Sequence, residues 1–159
     1  MIQFVNDEAD FGSYSTYLIT NFKVSDTDIS EDGELLLTFI ETSMIEQMDK
    51  RGYNLAEREP DLLLRYELLA NLNQRTNVDQ SFYSPIVRVN TTTFRESALL
   101  LELTDRRTRK LVWQASIDLK ESRKKPTEVI LQEAITKMYD TYLYRAKKTE
   151  QDPSLAIHD

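Results

Sequence analysis

Leu62-Leu63-Leu64-Arg65-Tyr66-Glu67-Leu68-Leu69-Ala70-Asn71-Leu72 can be read with two periods, and the choice decides the fold. With a period of two, Leu62, Leu64, Tyr66, Leu68, Ala70 and Leu72 share a face; with a helical period, Leu62, Leu63, Tyr66, Leu69 and Ala70 do. Periodicity alone leaves both open. Pro60-Asp61 breaks the chain just before this stretch, and another strand gives two amphipathic helices enough sheet to cover, so we read it as a strand.

Downstream the period is two without ambiguity. In 111–119, Leu111, Trp113, Ala115, Ile117 and Leu119 point one way, while Val112, Gln114, Ser116 and Asp118 point the other. Leu99, Leu101 and Leu103 repeat the stripe, and Asp105-Arg106-Arg107-Thr108-Arg109-Lys110 is short and polar enough to turn a hairpin between the two. Upstream, Ser13-Tyr14-Ser15-Thr16-Tyr17-Leu18-Ile19-Thr20 is rich in β-formers and reads as a further strand.

Two segments carry the helical period. In 30–50, Leu37, Ile40, Met44, Ile45 and Met48 form one face; Ser30 or Asp32 suits the cap, and Lys50-Arg51-Gly52 suits the stop. The second helix opens at Pro126, carries Leu131, Ala134, Ile135, Met138 and Tyr142, and is expected to end near Arg145-Ala146-Lys147-Lys148. The expected fold is therefore α+β: a mainly antiparallel sheet with two helices packed on one face, in the order β-α-β-β-β-α. Residues 1–148 form one domain on this reading and 149–159 a disordered tail. Arg65, Glu67, Gln114, Ser116 and Asp118 fall on the opposite, polar sheet face, and 74–90 makes a long connection.

Composition narrows the function classes. The chain has 159 residues, 40% hydrophobic and 30% charged, with three glycines and four prolines, which fits a single globular core. A formal charge of −7 disfavours nucleic acid and anionic membrane as partners. The absence of cysteine removes disulfides, thiolate metal sites and thiol catalysis. No stretch approaches the roughly 18–20 apolar residues of a membrane span, and Met1 to Glu8 lacks the plan of an export signal. Met1 directly precedes what reads as folded sequence, so we expect a start codon standing where a signal was removed.

Asp10-Phe11-x-x-Tyr14-x-Thr16-Tyr17, Gly52-Tyr53 after the first helix, Pro60-Asp61-Leu62 opening a strand, and Leu103-x-Asp105 leading into Leu111-Val112-Trp113 occur in this order. Together they resemble the domain-of-unknown-function 4136 family over nearly the whole chain. The resemblance implies an α+β fold in a bacterial cell-envelope protein, commonly a lipoprotein, with no assigned activity. It places the full-length form in the periplasm or at the outer membrane, held by a lipid anchor absent from this chain. Three departures stand out: no lipobox cysteine, Ser97 where members usually have glycine, and a last helix that continues through Tyr139, Tyr142 and Tyr144 rather than stopping at a proline. Phe11, Tyr14, Tyr17 and Trp113 also read simply as core aromatics, and Asp105 as a turn cap.

No catalytic constellation emerges from the residue types. His158, the sole histidine, lies in the expected tail, so Ser-His and Cys-His mechanisms have no positioned base. None of the 27 Asp and Glu residues forms a pair whose spacing singles it out. Asp26-Thr27-Asp28-Ile29-Ser30-Glu31-Asp32 fails the calcium-loop pattern, because Glu31 stands where glycine is needed and Leu37 where the bidentate Glu belongs. Glycines only at 12, 33 and 52 leave no phosphate loop. We thus expect no enzyme activity, no cofactor and no metal.

Two basic clusters, Arg106-Arg107-x-Arg109-Lys110 and Arg123-Lys124-Lys125, sit at opposite ends of one strand and read as solvated surface. Tyr139, Tyr142 and Tyr144 are spread too widely around a helix for one core stripe, so at least one is expected to be exposed as a partner anchor. The partner would be another envelope protein or a second copy of the chain. A small-ligand or glycan-binding role, using the polar sheet face or 74–90, is the alternative.

Overall fold

The computed structural model describes residues 1–20, 31–70, 96–120 and 124–148. The expected cap Ser30, the 26–30 part of the acidic loop 26–32, the connection 74–90, Arg123 and the tail 149–159 lie outside the described residues, while Asp32, the other expected cap, falls inside the first helix rather than at its start.

The strands are β1 (Ile2–Val5), β2 (Thr16–Ile19), β3 (Asn54–Leu55), β4 (Leu62–Ala70), β5 (Glu96–Asp105) and β6 (Leu111–Lys120). The helices are α1 (Glu31–Lys50), between β2 and β3, and α2 (Thr127–Tyr139), after β6; one short 3-10 turn covers Phe11–Ser13. The ambiguous stretch at 62 is thus a strand. Beyond the expected order, β1 and β3 are two additional short edge strands.

Among the described residues the six strands form one sheet in the order β1-β6-β5-β4-β2-β3. Pairs β1/β6, β6/β5 and β5/β4 are antiparallel, whereas β2 runs parallel to both β4 and β3. The sheet is therefore mixed. The physical reason is the crossover: α1 carries the chain from the end of β2 back to the start of β3 and β4, which makes those neighbours parallel.

Both helices cover one face. Leu62, Leu64, Tyr66 and Leu68 are buried, as are Leu99, Leu101 and Leu103, and Trp113, Ala115 and Leu119, against Ile40, Met44 and Met48 of α1 and Leu131, Ala134, Ile135 and Met138 of α2. The alternation read from the sequence holds except at Val112 and Leu111, the latter pairing with Thr104 and so lying on the face opposite Trp113. Leu103 pairs with Trp113 and Thr104 with Leu111, so Val112 has no partner in the register and forms a bulge. Val112 is buried rather than on the polar face, and its carbonyl accepts a hydrogen bond from the Asn6 amide that ties β1 to β6.

α1 ends as its sequence predicts. Gly52 has φ +89°, the Gly52 amide donates to the Asp49 carbonyl and the Tyr53 amide to that of Met48, the paired bonds of a glycine-terminated helix. α2 behaves otherwise, stopping at Tyr139 rather than near 145–148. Contacts elsewhere capture the chain beyond it: the Ala146 amide donates to the Arg51 carbonyl and the Lys147 amide to the Tyr14 carbonyl.

Candidate functional site

The early end of α2 leaves Tyr139 as its last residue and moves Tyr142 and Tyr144 out of helical phase. Tyr139 and Tyr142 are buried, while Tyr144 is half-buried with its ring stacked on Phe11 at 3.7 Å between centroids. Tyr142 meets Trp113 edge-on at 5.4 Å, and its hydroxyl shares a 2.8 Å hydrogen bond with that of Tyr53. Trp113 donates through Nε1 to the Thr141 hydroxyl at 3.0 Å. Core packing therefore takes Tyr139 and Tyr142, leaving Leu143, 81% exposed, and part of Tyr144 at the surface. The helix ends at Tyr139 instead of continuing through all three tyrosines, and of the three only Tyr144 keeps part of its ring at the surface.

Arg51 is the residue sequence reasoning missed; a Lys-Arg-Gly helix stop gives no hint of its reach. Its Nη2 donates to the Tyr139 carbonyl at 2.8 Å, its Nε to the Tyr142 carbonyl at 3.3 Å, and its Nη1 to the backbone and side-chain oxygens of Gln47 at 3.1 and 2.9 Å. The guanidinium carbon also lies 5.2 Å from the Tyr139 ring centre. One side chain thus ties the last turns of both helices together. Arg145 adds a bond from Nη1 to the Lys50 carbonyl at 3.1 Å.

Between these helix ends lies a cleft of about 450 Å³. Gln47, Lys50 and Arg51 of the α1 end, Thr136 and Asp140 of the α2 end, and the segment from Tyr142 to Arg145 line it. A second hollow of about 360 Å³ shares Thr136 and Asp140 and runs on along α2 past Glu133 and Lys137.

The acids flagged by the sequence hold the scaffold. Asp105 accepts from the Tyr14 hydroxyl at 2.8 Å and from the amides of Arg107 and Thr108 at 2.8 and 3.0 Å, capping the hairpin as expected and adding a long-range bond that was not. Burial pushes its carboxyl up, but the Thr108 amide, the Tyr14 hydroxyl, the Arg107 amide and the Arg107 charge outweigh that and hold it below the usual range. Asp61 accepts from the amides of Ser15 and Thr16 at 2.7 and 3.1 Å, fixing the start of β2 against β4.

On the polar sheet face, Arg65 pairs with Glu67 at 2.7 Å and with Glu102 at 3.0 Å, and Gln114 donates to Glu102. These groups satisfy one another. Arg107, Arg109 and Lys110 stand exposed at the hairpin tip, and Lys125 near the other end of β6 pairs with Glu133 at 2.9 Å. Among the described residues no group of three or more Asp, Glu or His side chains gathers in a metal-holding arrangement.

The opposite margin is β1, an outer strand. The bond from the Asn6 amide to Val112 sets the alternation, so Gln3 and Val5 turn their backbone groups away from β6 toward the open edge. Ile2 and Phe4 beside them are 74% and 44% exposed.

Fold and site together define an α+β domain whose phenols, acids and Arg51 brace the scaffold around a polar cleft. The chain belongs to the family described as Domain of unknown function (DUF4136), whose profile matches residues 4–142. Among solved structures it is similar to a PDZ domain protein from Parabacteroides distasonis, with 16% identity over 89% of this chain and a TM-score of 0.58; the chain spans 35% of that protein. A PelC dodecamer from Paraburkholderia phytofirmans is similar at 11% identity, covering 91% of this chain and 98% of that one with a TM-score of 0.54. Lipoprotein GNA1162 from Neisseria meningitidis matches more weakly, with 11% identity, 80% and 96% coverage and a TM-score of 0.47. No curated protein matches the sequence significantly. No helix among the described residues is long and apolar enough to cross a membrane.

Proposed function

We propose that this chain is a bacterial cell-envelope domain that acts through protein contacts rather than catalysis, tethered in its full-length form by an N-terminal lipid. The envelope assignment rests on the family to which the chain belongs and on what the resemblance implies for its members. The contact role rests on one observation: among the described residues no strand pairs with the outer edge of β1, and Ile2 and Phe4 stand exposed beside it, a combination that invites another strand. PelC, of the same fold, assembles as a dodecamer, so a second copy of this chain is the first partner to test. Light scattering on the purified chain over a hundredfold range of concentration should show association that Phe4→Lys weakens. Fractionation of cells expressing the native gene should place the protein with membranes. A strict monomer recovered from the cytosolic fraction would defeat the proposal.

The second reading, a small-ligand domain, is favoured by the cleft between the helix ends. The polar sheet face suits that role less well, since Arg65, Glu67, Glu102 and Gln114 already bind each other.

A further inference from the structure

We infer that the cleft between the C-terminal ends of α1 and α2 binds a small organic ligand carrying one carboxylate and, opposite it, hydrogen-bond donors. This deepens the ligand-binding reading and is independent of the contact through β1.

Charge comes first. The whole chain carries −7, yet this cleft gathers Lys50, Arg51 and Arg145 against the single acid Asp140. The Lys50 ammonium has no hydrogen-bond or ion-pair partner among the described residues, and Arg145 commits one Nη1 bond to the Lys50 carbonyl. Two converging helix ends would ordinarily repel an anion through their free carbonyls. Here five carbonyls at these ends are occupied: Gln47, Tyr139 and Tyr142 by the Arg51 guanidinium, Lys50 by Arg145, and Arg51 by the Ala146 amide. The residual field at the cleft therefore favours a negative group.

Asp140 then limits the ligand. A bare anion beside Lys50 and Arg145 would face this carboxylate across the same hollow, a repulsion removed only if the ligand brings an O–H or N–H for Asp140 to accept. Thr136 supplies a hydroxyl on the same side. Size agrees, because about 450 Å³ lies within the roughly 300–1,000 Å³ of small-molecule sites and exceeds what an inorganic ion fills. Leu143 and Tyr144 add an apolar wall, and the stacking of Tyr144 on Phe11 together with the four Arg51 bonds fixes that wall and the floor in advance.

Two sources share this chemistry: a sugar acid, whose donors are hydroxyls, and an amino acid or peptide terminus, whose donor is an ammonium. Titrating the isotope-labelled chain with sodium glucuronate, glycylglycine, glucose and inorganic phosphate, followed by amide NMR, separates them. At least one of the first two should bind saturably, with shifts centred on Gln47, Lys50, Thr136, Asp140 and Arg145, and glucose and phosphate at least tenfold more weakly. Lys50→Gln with Arg145→Gln should weaken the preferred probe tenfold or more, and Asp140→Asn should weaken it while strengthening phosphate, which no longer faces a like charge. Lys50→Gln alone, which keeps the backbone carbonyl that Arg145 binds, guards against a folding artefact. The inference is overturned if neither organic probe saturates, if phosphate binds as tightly, or if the Lys50 variants bind like the parent. Light scattering on the same samples reads the association proposal separately, so either idea can fail alone.

Discussion

The hydroxyl of Tyr14 donates a 2.8 Å hydrogen bond to the carboxylate of Asp105, joining residues 91 positions apart in a buried setting. That bond locks the entry to β2 against the β5–β6 hairpin. Hydrogen bonds to charged groups contribute about 1.5–3 kcal/mol, so Tyr14→Phe should lower unfolding free energy by about that amount in urea titration.

Asp105 also makes stability depend on acid. Its carboxyl is held below the usual value near 4, so its contribution is complete above that value and disappears as pH falls through the lower folded one. Urea midpoints measured from pH 6 down to pH 2 should show this loss, and Asp105→Asn, already destabilised at pH 6, should show a shallower decline.

Alkaline titration should run the other way. Burial pushes the phenols of Tyr14, Tyr17, Tyr53, Tyr66, Tyr139 and Tyr142 up, Tyr17 to about 12. Groups raised in the folded state stabilise it fully below the unfolded value near 10 and lose that contribution as pH climbs toward the folded values. Absorbance at 295 nm should therefore rise for these six only above the ordinary phenol value near 10, together with loss of near-ultraviolet circular dichroism. A smooth midpoint near 10 for all eight tyrosines would contradict the packing described.

Arg51→Lys should not be silent, although it keeps the charge. A lysine cannot reach the carbonyls of Tyr139 and Tyr142 and the oxygens of Gln47 at once. The expected cost is about 2–3 kcal/mol in chemical denaturation, with faster amide exchange in 140–147.

Gly52→Ala should cost about 1–2 kcal/mol, since φ +89° is strained for any residue with a Cβ. The Cβ itself would sit 3.5 Å from that of Ala146, an ordinary contact, so the penalty is backbone strain rather than collision. Thermal melts of Gly52→Ala and Gly52→Asn should rank the asparagine variant as the milder, because asparagine tolerates this region better.

What the sequence revealed follows the range of the interactions. The stripes Leu99, Leu101, Leu103 and Ile40, Met44, Met48 announce their elements because each is a local repeat buried on one side. β1 escaped notice: Ile2-Gln3-Phe4-Val5 alternates too briefly to signal a strand, and its pairing with 113–116 is wholly non-local. Val112 likewise obeys the alternation in sequence and breaks it in space, since a bulge is a property of two strands. The cleft was the least legible part. Tyr142 and Tyr144 stand out in the sequence, but their setting depends on Arg51, whose partners lie 88 and 91 residues away.

The bond from Trp113 to Thr141 has a practical consequence. Since the chain holds a single tryptophan, its emission comes from one indole whose N–H is anchored to the first residues beyond α2. The molecule thus carries its own optical gauge: any event that unseats the segment around Thr141 should shift that colour before the sheet itself gives way.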